Sequence, residues 1–118
     1  MDLLKAMDAF GGGLGASGET CGALIGGLAV VGLLYGRSVG GQYPDMRMWK
    51  YAREFVRRFR EEITGGPILC RDIIQVDWTD AGQVKAFRAG SKREICRQLT
   101  GRTAGLVGEI IDQASAGV

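Results

Sequence analysis

Apolar positions in this chain recur mostly at intervals of three and four, the spacing of helices that bury one face. Asp2 is placed to cap a short helix through Phe10, with Leu3, Leu4, Met7 and Phe10 along one side. A glycine loop occupies residues 11–18, and a helix apolar on nearly every side then runs from about Gly18 to Tyr35 and stops at Gly36. After a polar loop, Pro44 suits a helix start. The third helix, Asp45 to Thr64, aligns Trp49, Ala52, Val56, Phe59 and Ile63 in a stripe widened by Phe55, and Gly65-Gly66-Pro67 ends it. Ile68 to Val76 is rich in β-branched residues, but no second run offers a strand partner, so the pattern predicts a short helix. Thr79 or Asp80 caps a helix to Ala89. Ser91 and Glu94 form a capping-box pattern for a last helix that reaches about Ala116, with a break near Gly101. The expectation is one all-α domain over residues 1–118, a compact bundle of about five to six helices with a glycine-rich loop before a buried glycine-rich helix.

Charge and composition narrow the function. The third helix carries Arg47, Lys50, Arg53, Arg57, Arg58 and Arg60, but Glu54, Glu61 and Glu62 fall four residues from several of them. That pattern is a solvated face laced by weak ion pairs, and with a net charge of only +2 it gives no case for nucleic acid. The chain has no histidine, which excludes Ser-His-Asp and Cys-His catalysis within it and removes the commonest metal ligand. The opening residues lack the basic-then-apolar pattern of a signal peptide, so the expected location is cytoplasmic. The apolar run Ala23–Tyr35 is shorter than the ~20 residues a membrane-spanning helix needs.

The candidate chemistry gathers around Phe10–Gly36. With Ser17 as N-cap, Cys21 would fall in the first helical turn, where unpaired amides and the helix dipole favour a thiolate. Gly13, Gly15, Ser17 and Gly18 could cradle an anion at the same helix start. Gly13–Gly18 also matches G-x-G-x-x-G, but the segment before it reads helical and no ribose-binding acid follows, so a dinucleotide site is not expected. Gly18, Gly22 and Gly26, four apart, would form a groove for another helix, including one from a second copy in a homo-oligomer, or for a flat cofactor. Cys96 follows Lys92 and Arg93 on one helical face, which favours its thiolate; Cys70 has only Arg71 beside it, and its case is the weakest. Three cysteines without C-x-x-C spacing leave three readings: a thiol redox pair, a three-thiolate metal or iron–sulfur site, or inert buried thiols in a structural helical subunit.

The glycine loop, Cys21-Gly22-Ala23-Leu24-Ile25-Gly26 as C-G-A-x-x-G, and the Leu33-Leu34-Tyr35-Gly36 ending together resemble the C_GCAxxG_C_C family of small bacterial and archaeal proteins, with Cys70 and Cys96 where that family has its later cysteines. The resemblance implies a helical intracellular protein with redox-active thiols or a cysteine-bound metal centre, and a redox or transport-associated protein partner. Family members typically carry a further cysteine in a helical segment before the glycine loop, which this sequence lacks. That departure is expected to leave one disulfide plus a free thiol, or three thiolates plus an outside ligand.

Overall fold

A computed structural model describes residues 2–116 as helices joined by short loops. Six are α-helices: α1 (Asp2–Met7), α2 (Gly22–Tyr35), α3 (Arg47–Arg58), α4 (Cys70–Ile73), α5 (Ala81–Ala89) and α6 (Ser91–Ala116). A 3-10 turn, Asp8–Phe10, extends α1, and a π-helical segment, Phe59–Thr64, extends α3. The all-α bundle is as the apolar spacing predicts.

The main core lies between α2, α3 and α6. Leu24 and Val31 of α2 meet Phe55 and Phe59 of the α3 segment and Leu99, Leu106, Val107 and Ile110 of α6. Phe55 and Phe59 are fully buried, so the stripe of α3 is centred on them. Trp49, expected in that stripe, is 54% exposed. The cause is local: Tyr51 turns inward to pack on Tyr35, ring centroids 5.2 Å apart, and a residue two positions away on a helix faces nearly the opposite way.

The start of α2 differs from the expected one. Gly18 has φ +71°, outside the helical range, and the chain is extended at Cys21 (φ −56°, ψ 129°), which is itself the N-cap; Ser17 lies in the loop. The helix therefore begins at Gly22 and the Gly18/Gly22/Gly26 groove does not exist as a continuous stripe. Gly18 is covered by Arg71, and a Cβ on Gly22 would lie 2.9 Å from the Phe10 carbonyl oxygen. The glycine that permits close helix packing is Gly27, where a Cβ would collide with the Phe55 ring. The far end of α2 is not core, since Leu33 and Leu34 are 64% and 54% exposed.

Asp80 caps α5 as expected, accepting from the amides of Gly82 and Gln83. Ser91 is the first residue of α6 and not its cap, and α6 passes through Gly101 without a break. A glycine inside a helix costs about 0.5–1 kcal/mol, which the packing of Leu99, Thr103 and Leu106 around it outweighs.

Gly27→Ala should destabilise the fold by about 1–3 kcal/mol through overpacking against Phe55. Gly26→Ala, where a Cβ meets nothing within 4 Å, should instead gain about 0.5–1 kcal/mol. Urea denaturation of the two variants beside the wild type reads both signs.

Candidate functional site

Residues 11–18 form a left-handed turn. Gly12, Gly13, Leu14, Gly15 and Ala16 all have positive φ, between +57° and +74°. Leu14 and Ala16 are not glycine, and each such residue costs on the order of 1–2 kcal/mol. A ladder of backbone bonds holds them: Leu14 N–H donates to Phe10 (3.1 Å), Gly15 to Ala9 (2.7 Å), Ala16 to Gly11 (3.0 Å), Gly18 to Gly12 (3.0 Å) and Glu19 to Gly13 (2.9 Å). Two of the four groups expected to cradle an anion, the Gly15 and Gly18 amides, are spent on carbonyls of the chain itself. Gly13 has another use. A Cβ there would lie 2.6 Å from Cys70 Cβ, so only glycine lets the loop sit against that cysteine.

The loop leads into a short antiparallel clasp with the segment that follows α3. Thr20 and Leu69 form an isolated bridge, flanked by Cys21 N–H donating to Ile68 (2.8 Å) and Cys70 N–H donating to Glu19 (2.6 Å). This hydrogen-bond pattern makes Thr20–Leu69 the narrow pair of the ladder. Residues 68–69 thus do have an extended partner, residues 19–21, and only from Cys70 onward is the predicted short helix present. Outside the clasp, Arg71 pairs with Glu19 at 3.2 Å, an exposed contact of small worth.

The clasp sets Cys21 and Cys70 diagonally across from one another, and α6 brings Cys96 to the same cavity. All three are free thiols and line one cavity of about 480 Å³ between the glycine loop, α2, α4 and α6. Its other walls are glycine backbone (Gly11, Gly12, Gly13, Gly22, Gly26, Gly27), aliphatic side chains and Trp78. Among the described residues, no ionisable side chain other than the thiols lines it. Its two hydroxyls are turned back onto α6: Thr100 Oγ1 donates to Cys96 (2.9 Å) and Thr103 Oγ1 to Leu99 (2.7 Å). Of the four residues expected to hold an anion, Gly13 alone borders this cavity; Ser17 and Gly18 lie beside Arg71 in a separate depression.

Burial dominates the thiol electrostatics. Cys70 is 7% exposed, and burial pushes its thiol up; the indole of Trp78 opposes this and the nearby Cys21 adds to it. Burial also pushes up the half-buried Cys96, followed by the proximity of Cys21 and Cys70. The expected cationic activation of Cys96 is therefore absent. Lys92 Nζ instead donates to the Gln75 carbonyl at 2.8 Å, beyond the end of α4. Cys70, weakest on sequence grounds, is the most enclosed of the three and the one that the loop is built around.

Trp78 is the residue that sequence reasoning missed. Its ring is fixed edge-on against Phe87, centroids 4.8 Å apart, within the small cluster of Cys70, Ile74, Val76 and Cys96. Its Nε1 is buried with no nitrogen or oxygen acceptor, and the group it meets is the Cys70 sulfur, a weak acceptor. A lone tryptophan in the Asp77–Asp80 turn carries no periodicity to signal this placement. The three thiols share a wall, yet among the described residues no group of three His, Cys, Asp or Glu side chains is arranged to hold a metal ion.

Fold and site together define a small all-helical protein whose cysteines, drawn from three distant segments, meet at one apolar cavity. The family model described as "Putative redox-active protein (C_GCAxxG_C_C)" matches residues 1–110, and the chain belongs to that family. No curated protein and no solved structure matches it. No helix among the described residues is long and apolar enough to cross a membrane.

The raised thiols couple stability to pH. A thiol held above its unfolded value of about 8.5 favours the fold fully below that pH, and the contribution is lost as pH rises through the folded value. Stability to urea should therefore hold up to about pH 8.5 and fall above it. Cys96→Ala should flatten that fall, and an equal fall in the variant would show that Cys96 has no part in it.

Proposed function

We propose that the three cysteines form a thiol redox centre in which Cys21 is the attacking thiol, Cys70 closes the disulfide and Cys96 stands by as the third thiol. The observation that carries this reading is the convergence of all three on a single cavity. Cys21 is the N-cap of α2, the end of a helix where outward-pointing amides stabilise a developing thiolate. Cys70 is its diagonal neighbour across the clasp. Such neighbours have Cα atoms about 7–8 Å apart, a little beyond the ~4.4–6.8 Å span of a disulfide, so closure asks only for a small shift of the first turn of α4. In the cycle two S–H bonds break, one S–S bond forms, and two electrons with two protons leave to an acceptor. The family description, redox-active protein, agrees with such a cycle. An electron-transfer accessory role, exchanging electron pairs with a redox or transport-associated partner, follows from it.

Thiol counting before and after mild oxidation with diamide under anaerobic conditions tests the cycle. The three free thiols should fall to one, with a disulfide peptide joining Cys21 and Cys70. Cys21→Ser should keep both remaining thiols free, and Cys96→Ala should still close the disulfide. Three thiols persisting after oxidation, or stoichiometric metal released together with thiol reactivity, would overturn the reading.

A further inference from the structure

We propose that the cavity beside the thiols binds a neutral, flat, carbonyl-bearing electron acceptor of the quinone class, oriented by a hydrogen bond from Trp78 Nε1–H. This rests on the thiol redox reading and names the acceptor that the cycle lacks.

The character of the walls selects the ligand. With no cation among the lining residues and both threonine hydroxyls donating to α6 carbonyls, only the start of α2 at Cys21 favours negative charge there, which suits a reacting thiol better than a charged substrate. The alkoxide or thiolate expelled when a thiol attacks a hydroperoxide or a disulfide would have to share that one helix end with the thiolate. Reduction of a quinone by a dithiol avoids both charges. Two S–H bonds break, an S–S bond forms, and the quinone takes two electrons and two protons to leave as a neutral hydroquinone. A cavity of about 480 Å³ is of the size that holds small organic ligands. Backbone at Gly26, where an added Cβ meets nothing within 4 Å, lets a planar ring lie close to the wall, and one donor is available, the buried indole N–H, whose partner within the protein is the weakly accepting Cys70 sulfur. A carbonyl oxygen is a stronger acceptor than a thiol sulfur and would take that donor over.

Duroquinone is a suitable probe, because its four methyl groups leave no ring hydrogen for a thiol to displace. Fully reduced wild-type protein mixed anaerobically with duroquinone should yield one hydroquinone per chain, at a rate that saturates with quinone, as the Cys21–Cys70 disulfide forms. In a Trp49→Phe, Cys21→Ser protein, where Trp78 is the remaining tryptophan and the dithiol is broken, duroquinone should quench the indole fluorescence saturably. Trp78→Phe keeps an aromatic ring and removes the donor; it should raise the half-saturating quinone concentration about tenfold with little change in the limiting single-turnover rate. Gly26→Leu, at a cavity-lining glycine where an added Cβ meets nothing within 4 Å, should abolish saturation. Absence of both quenching and hydroquinone, while diamide still closes the disulfide, would overturn the quinone assignment and leave the thiol centre standing. Failure with diamide as well would remove both. Quinone reduction that does not saturate and is unchanged in Gly26→Leu would show reaction at the surface and overturn the cavity assignment.

Discussion

The clasp between residues 19–21 and 68–70 is the contact on which the site depends. It contains one bridge and two flanking backbone bonds, yet it joins the strained glycine loop to the segment bearing Cys70 and fixes the direction in which α2 sets out. Without it, Cys21 and Cys70 would sit on unrelated loops. The loop's left-handed turn carries unfavourable φ angles at Leu14 and Ala16, which persist because the surrounding hydrogen bonds leave no alternative. Local strain is accepted where it places backbone against a thiol, the kind of compromise expected near a working site.

The cavity shows how much chemistry can be set by leaving groups out. Glycine at positions 13, 22 and 27 lets Cys70, the Phe10 carbonyl and Phe55 come close, glycine at 26 leaves the wall open, and hydroxyls that could have faced inward are tied to helix carbonyls. Sulfur and a single indole N–H remain as the polar groups able to act. In such surroundings a thiol stays protonated until something draws the proton, which is the electrostatic counterpart of the upward push on Cys70 and Cys96. The helix end at Cys21 is the one element of the site arranged to favour negative charge.

The bundle was legible because helical periodicity is a local signal: the runs that became α3, α5 and α6 carry it directly, and Asp80 announced its own cap. The cysteines could be nominated from residue type and the C-G-A-x-x-G pattern. Their convergence could not, since it depends on a clasp between positions far apart in the chain whose extended residues are too few to show strand alternation. The start of α2 was misplaced for a related reason: composition continues unbroken across Gly18, while the backbone is diverted by a pairing with Leu69 that no local window contains. Gly27 and Trp78 were missed because their importance comes from a single tertiary neighbour each, Phe55 for one and the thiol cluster for the other. The charged neighbours of Cys96 misled because helical spacing says which residues share a face but not which carbonyl a lysine will reach.

Because Thr20 and Leu69 are separated by the whole of α2 and α3, their pairing closes a long loop, whose entropy is recovered only after the two helices have packed. The three cysteines therefore share a cavity only in the packed molecule. A chain that has not closed the clasp holds the same thiols on separate segments, so their enclosure is a property of the completed tertiary structure, acquired together with it and lost together with it.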